Sequence, residues 1–418
     1  MIKLDQDRFV KLMKEHSKIG ATSEGGLHRL ALTEQDKKIR DWFVSKLEKA
    51  DLDIRIDEFG NIFGRREGLE PNGSPILLGS HLDSQPDGGI YDGALGVISA
   101  LEFILTLEDN NIATDRPIEI VNWTNEEGSR FQPAMQGSGV WTGKHSIKTE
   151  LEKTDNDGNV LEDELKRIGY SGEAPAKPVE EYEVYLESHI EQGPYLDISD
   201  SDIGVVTGVV GFTWGEITLS GKSDHSGPTP MNYRSDALVA AADIIKQVRH
   251  IPNTLGEKTV GTVGYIQNRP NSINTIPGSV TLTWGFRDPD DYVVQQAYER
   301  LVSEVEHVAL REGVQCEYKE TQRSSRVNFS DRCIETIQTV IDRNGYNSKR
   351  LMSMAGHDAV HLASIMDTGL VFTPSEGGKS HSANEYTSWD DCYKAAQVLS
   401  ETALEFATMG RDESSYSV

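Results

Sequence analysis

Cysteine is scarce: Cys316, Cys333 and Cys392 are the three in 418 residues. Three widely spaced thiols, an odd number, exclude a disulfide framework and offer no Cys-based zinc motif. Any metal must therefore be held by histidine and carboxylate. No apolar run approaches the ~20 residues that span a bilayer. The first residues, MIKLDQDRFVKLMKEH, lack the apolar stretch of a secretory signal, so a cytoplasmic location is expected. Basic residues are outnumbered, 41 Lys and Arg against 67 Asp and Glu, for a formal net charge of −26. No Lys/Arg block stands out. A chain of this sign repels nucleic acid and anionic membranes, and neither is expected as a partner. The acidity suits solubility or a saline habitat and says little about a reaction. Internal repeats are absent, and the one low-complexity segment is the polar tail after Gly410.

What is present is patterned as an α/β protein too long for one core. Thr33 with Asp36 reads as a loose capping box, opening a helix whose Ile39, Trp42, Phe43 and Leu47 share a face. LDIRIDEFGNIFGRREG alternates like a strand pair. Ile76 to Leu78 is a short buried strand, and residues 92–108 form a helix with Leu95, Ile98, Leu101 and Leu105 as its stripe. PIEIVNWTNEE and YEVYLESHIEQG are two more strands, each ending in acid. Strands alternating with helices predict a sheet whose ligands gather at the carboxyl ends of strands.

From Gly211 the pattern changes to a compact α+β unit of ferredoxin-like type. FTWGEITLSG, TVGTVGYIQ, SVTLTWGFRD and VQCEYKETQR read as strands. Ser235 to His250 reads as a helix with Leu238, Ala241, Ile245 and Val248 inward, and Tyr292 to Glu312 as a second. The expected division is 1–210 with 327–418 for one domain and 211–326 for an inserted one. Gly204, Gly208 and Gly211 stand at the joint, where they could absorb a hinge motion.

Chemistry concentrates in four strand-end clusters: His81 with Asp83 and Asp92, Glu126-Glu127, His189 with Glu191, and His381 in GGKSHSANEYT. Taken singly, each has an ordinary reading: a surface histidine, a solvated acidic pair, an Asp-Gly turn. Their coincidence in Gly-rich strand ends points to a metal site. Counting His81, Asp92, Glu127, His189 and His381 gives five ligands. If Asp92 bridges, each of two divalent ions receives three protein ligands, with room left for a water. Zinc suits this set best; manganese, cobalt and nickel tolerate it.

Six stretches go further: GSHLDSQPDGGIYDGALGV, TNEEGSRFQPAMQGSGVWTG, HIEQGP, DHSGPTPMNYRSDAL, PNSINTIPG and GGKSHSANEYT. In this order they resemble the hydantoinase/carbamoylase branch of the M20 dinuclear zinc amidohydrolases, over nearly the whole chain. That branch holds N-carbamoyl-L-amino acid hydrolases, β-ureidopropionases and allantoate amidohydrolases. The resemblance implies a zinc-exopeptidase-like catalytic domain with an inserted lid and dimerisation domain. It puts one metal on His81, Asp92 and His189, and the other on Asp92, Glu127 and His381. Glu126 would be the general base, Asp83 would orient His81, and the Asp92–Gly93 peptide would be cis. Gln192 would contact a ureido group, for which His189 in place of a carboxylate also speaks. His225 and Asn274 would bind substrate, the histidine reaching across a homodimer to stabilise the oxyanion. The loop holding Gly356 and His357 would touch a substrate carboxylate, although His357 and Asp358 also fit a local structural pair. Arg287, on the polar face of its strand, would clamp that carboxylate; a surface salt bridge is its ordinary reading.

The expected reaction is hydrolysis of the linear C–N bond of an N-carbamoyl-L-amino acid to amino acid, ammonia and carbon dioxide. Allantoate amidohydrolase and β-ureidopropionase are the alternatives. An M20 peptidase or aminoacylase is disfavoured by His189 and Gln192. A non-catalytic metal-binding scaffold is disfavoured by Glu126 beside a full ligand set.

Overall fold

The computed structural model describes residues 2–70 and 72–408; the polar tail after Gly410 lies outside them. The chain divides into two compact units, Met1–Thr207 with Asn328–Val418, and Gly208–Val327.

In chain order the strands of the first unit begin with β1 (Asp53–Ile56), β2 (Ile62–Arg66), β3 (Ile76–His81), β4 (Ile118–Trp123), β5 (Val184–Ile190) and β6 (Ile203–Val209). The second unit contributes β7 (Gly211–Ser220), β8 (Val260–Thr262), β9 (Ile266–Arg269), β10 (Ser279–Asp288) and β11 (Gln315–Ser324). The chain then returns through β12 (Val327–Asn328), β13 (Ser348–Ser353) and β14 (Asp367–Thr373). The larger sheet runs β1-β2-β4-β3-β5-β14-β6-β12, with β13 on β6. Its centre is parallel, β3 pairing with β4 and with β5, and β5 with β14. Strands covered on both faces need apolar side chains on both, and β3, β4 and β5 are buried at every position.

Helix Ala94–Asp109 lies against β3, β4 and β5, with helix Gln6–His16 packed on it and helix Trp389–Thr408 beside it against β3, β5 and β14. The predicted one-sided stripe is therefore too narrow. Ala94 to Ile104 are all buried, and Leu105 is the partly exposed position. A helix sandwiched between layers is apolar all round. Helix Glu34–Lys49 starts where predicted. Thr33 Oγ1 accepts from the Asp36 backbone N–H at 3.4 Å, but Asp36 turns its own carboxylate to the Leu32 N–H and to Arg40 Nε, both at 2.8 Å.

The second unit is a five-stranded antiparallel sheet, β11-β7-β10-β8 with β9 also on β10, in the chain order strand-helix-strand-strand-strand-helix-strand. The stretch read as one strand, TVGTVGYIQ, is split into β8 and β9. On β10, Val280, Leu282, Trp284 and Phe286 face the core and Thr281, Thr283, Gly285 and Arg287 the other side. Helix Ala237–Leu255 buries Ala237, Ala240, Ala241, Ile244, Val248 and Ile251. This is a shift of the predicted face: Leu238 and Ile245 flank the stripe, which Ala237, Ala240 and Ala241 open with small side chains that let the helix sit close to the sheet there.

Candidate active site and metal centre

Four parallel strand ends build the site in the first unit. His81 is the last residue of β3, and His189 is the penultimate residue of β5. Glu126 and Glu127 follow β4, and His381 lies in the loop after β14. The register aligns these ends, with His81 opposite Trp123 and His189 opposite Phe372.

Asp92 stands between them with its two oxygens facing different partners. Oδ1 lies 3.3 Å from His81 Nε2 and 3.2 Å from His189 Nε2. Oδ2 lies 3.5 Å from His381 Nε2, which is itself 3.5 Å from Glu127 Oε2. Two triads result, His81/Asp92/His189 and Asp92/Glu127/His381, each with ligand atoms within 4.8 Å of one another. Glu126 Oε2 is 3.5 Å from His81 Nε2. The ring nitrogens are set for ligation: His81 Nδ1 lies 3.1 Å from the Asp83 carbonyl and His189 Nδ1 2.9 Å from that of Ile190. With a metal bound, each Nδ1 would carry the proton and each Nε2 lone pair would face inward.

Electrostatics match this donor set. Burial pushes Glu126 well above the carboxylate range, and Asp358, Glu127 and Asp92 push it further. Burial, followed by the charge of Asp92, raises Glu127 to about 8. Burial acts the same way on Asp92, but His189 and His81 outweigh it and hold Asp92 well below the usual range. Against its own burial, His81 is held well above 6.5 by Glu126, Asp83 and Asp92. Closely packed buried acids beside neutral-capable imidazoles fit divalent cations, which would neutralise them.

Gly93 permits the geometry. Its φ is 64°, and a Cβ there would stand 2.4 Å from the His81 ring. The Asp92–Gly93 peptide is trans, contrary to the expectation. Gly93 makes the turn through its positive φ, and the cis bonds among the described residues are Gln132–Pro133 and Arg269–Pro270. Asn125, Met135, Gln192 and His381 also have φ between 53° and 60°. Left-handed backbone thus occurs at four non-glycine positions around one centre.

Several residues here had no sequence signal of their own. Gln85 donates its backbone N–H to Glu127 Oε1 at 3.0 Å and its Nε2 to Oε2 at 2.8 Å. Glu385 accepts the N–H groups of Tyr91 (3.1 Å) and Asp92 (3.2 Å) and the Ser380 hydroxyl (3.0 Å). Burial and Asp92 raise Glu385 to about 7. Gln85 and Glu385 lie inside motifs quoted above, where proximity to a ligand was the available clue. Glu187, behind the site, accepts from Ser80 and Tyr185 hydroxyls at 2.7 and 3.0 Å.

The remaining expected residues fall in two places. Asp83 stands beside His81 with its carboxylate accepting the N–H groups of Glu126 and Glu127, both at 3.2 Å. The nearer Asp83 partner of His81 is its carbonyl; its carboxylate is 3.6 Å away. Gln192 Nε2 donates to Asp92 Oδ2 at 2.7 Å, and its buried Oε1 has no hydrogen-bond partner among the described residues. His357 is buried with its ring edge-on to that of His189 at 4.5 Å, and Nε2 3.0 Å from Ser353 Oγ. Gly356 precedes it, beside Met135. Asp358 accepts from the Ser138 hydroxyl.

His225, Asn274 and Arg287 belong to the second unit. The first two are brought together there: His225 bridges Thr275, and the Ser226 N–H donates to the Asn274 carbonyl at 2.9 Å. Both are exposed, and the Gly227 N–H donates to His225 Nδ1 at 3.1 Å, leaving Nε2 outward. Arg287 lies over Phe212 and Trp214, 5.7 and 5.5 Å from the ring centroids.

The model of peptidase family M20/M25/M40 matches residues 77–405. The chain belongs to that family. It is 38% identical to an N-carbamoyl-L-amino-acid amidohydrolase of Rhizobium meliloti, covering 97% of each chain. It is 32% identical to the allantoate amidohydrolase of Bacillus subtilis, over 93% of this chain and 94% of that one. A hydantoinase/carbamoylase family amidase from Burkholderia multivorans superposes with a TM-score of 0.91 at 41% identity, over 97% of this chain and 98% of that one. The fold of this M20 member is thus the mixed α/β fold of those amidases.

Proposed function

We propose that the protein is a metal-dependent amidohydrolase that cleaves N-carbamoyl-L-amino acids to amino acid, ammonia and carbon dioxide. The observation that carries this is Asp92, whose two oxygens serve two separate triads with Glu126 alongside. Two divalent ions, zinc foremost and manganese, cobalt or nickel as alternatives, would be held by His81/Asp92/His189 and Asp92/Glu127/His381; when bound they acidify the attacking water and polarise the scissile carbonyl. Glu126 takes the water proton as the water attacks the ureido carbon, then delivers it to the departing nitrogen. Its buried surroundings, which favour the protonated form, suit the second half of that task. Asp83 keeps the Glu126-Glu127 turn in place through two backbone N–H bonds. The unpartnered Gln192 Oε1 accepts a ureido N–H.

Arg287 is the carboxylate clamp, its guanidinium lying over the rings of Phe212 and Trp214. The backbone of Gly356 and His357 meets the same carboxylate, while the buried His357 ring supports His189. The second unit serves as lid and dimerisation domain of a cytoplasmic homodimer. His225 of the partner subunit, with Asn274, completes each site and steadies the oxyanion.

Allantoate is the second reading, favoured by the full-length likeness to the Bacillus subtilis enzyme. Ammonia release from a panel decides between them. N-carbamoyl-L-amino acids should be turned over faster than allantoate, N-carbamoyl-β-alanine or an acyl dipeptide. Allantoate as the best substrate would replace the first reading with the second.

A further inference from the structure

Residues before 77 lie outside the stretch matched by the family, yet one of them reaches under the site. Arg29 is 1% exposed. Its Nε donates to the Leu82 carbonyl at 2.6 Å, and Nη1 to the carbonyls of Ile19 at 3.1 Å and His16 at 3.3 Å. Its main chain is tied to the same loop. The Arg29 N–H donates to Ser84 Oγ at 3.0 Å, and the Ser84 N–H donates back to the Arg29 carbonyl at 3.0 Å. Arg29 thus grips Leu82 and Ser84, the two neighbours of Asp83. Asp83 in turn touches His81 through its carbonyl and carries Glu126 and Glu127 on its carboxylate.

A guanidinium sealed from water is costly unless charge or hydrogen bonds compensate it. Among the described residues no carboxylate bonds it directly; the charges acting on it, Asp36 and Asp83, do so through space. An apolar side chain of similar size would fill the volume without that cost. What Arg29 adds is a rigid fork for several carbonyls at once and a fixed positive charge beneath a cluster of buried acids.

We infer that Arg29 is a positioning residue of the catalytic centre, fixing Leu82–Ser84 so that Asp83 holds His81 and the Glu126-Glu127 turn in register for the metals. The inference rests on the reading of this centre given above. Arg29→Lys keeps charge but cannot span the same carbonyls. The metal-free protein is titrated with Co²⁺ and followed by visible absorption, alongside kcat, KM and Tm. Loss of an outer support commonly costs about 10- to 100-fold in metal affinity or activity. Arg29→Lys should lose about tenfold or more in Co²⁺ affinity and in kcat, with altered Co²⁺ bands and KM within about twofold. Ser84→Ala, which removes one of the three ties to that loop, should move the same readouts by about fivefold. A folded Arg29→Lys or Arg29→Met with parental Co²⁺ bands, affinity and kcat, and only Tm lowered, would overturn the inference. If Arg29→Met does not fold, Arg29→Lys and Ser84→Ala still decide it. Glu126→Gln in the same series separates the two claims. An active Glu126→Gln sinks the reading of the centre, whereas an inactive one beside a normal Arg29→Lys sinks the role of Arg29 alone.

Discussion

Asp92 meets a strict demand for one side chain, because each of its oxygens has a different set of neighbours within 3.5 Å. Glu126 and Glu127 are adjacent in sequence but face different tasks, and substitution separates them. Glu126→Gln should reduce kcat by about a hundredfold or more at near-parental metal content, the usual scale for a lost general base. Retention of metal by Glu127→Gln and loss from Glu126→Gln would exchange the two assignments. Protons also report on the site. Glu127 sits at about 8 in the ion-free protein, above the ordinary 4.5, so below about pH 8 it must lose a proton before it can bind a cation. Apparent metal affinity should therefore rise with pH up to about 8 and flatten beyond, with proton release at pH 7 visible by calorimetry in two buffers of different ionisation heat. Pairwise equal affinities at pH 6 and pH 8 would contradict this. Gly93→Ala should strip metal from the protein, since its Cβ meets the His81 ring at 2.4 Å; metal content by mass spectrometry checks it.

Elements were legible in proportion to how fully one residue pattern determines them. The runs ending at His81, Glu127 and His189 are apolar strands with acid or histidine at their carboxyl ends, and the sheet places them side by side as parallel strands do. The motifs carried the expected ligand set, whose His81, Asp92 and His189, and Asp92, Glu127 and His381, the fold brings together. Gln85, Glu385 and Arg29 were not readable, because a side chain's reach to a backbone group distant in sequence leaves no periodic trace. Helix phase failed where size mattered more than hydropathy. In Ala237–Leu255 the large Leu238 and Ile245 drew the predicted face toward the flank of the true stripe. Ala240→Leu should then cost about 1–3 kcal/mol by overpacking a line of close approach. Ile245→Ala, half-buried, should cost less. Urea midpoints of the two variants compare them, and the reverse order would restore the predicted face.

At the scale of the whole molecule, the change from alternating helix and strand to a compact α+β unit was visible in the sequence. How two such units or two subunits cooperate leaves no pattern in one chain. The composite site is tested by mixing. Inactive Glu126→Gln and inactive His225→Ala subunits should regain activity after exchange, because each mixed dimer holds one site with both residues intact. No recovery despite proven exchange would take His225 out of the neighbour's site. Above all, this fold should work as a metal-dependent hydrolase of ureido bonds. The most direct test is ammonia release from an N-carbamoyl-L-amino acid by protein stripped with chelator and then reloaded with Zn²⁺ or Mn²⁺. The account predicts no turnover by the stripped protein and recovery that saturates at two ions per subunit. Full turnover by rigorously metal-free protein would contradict it.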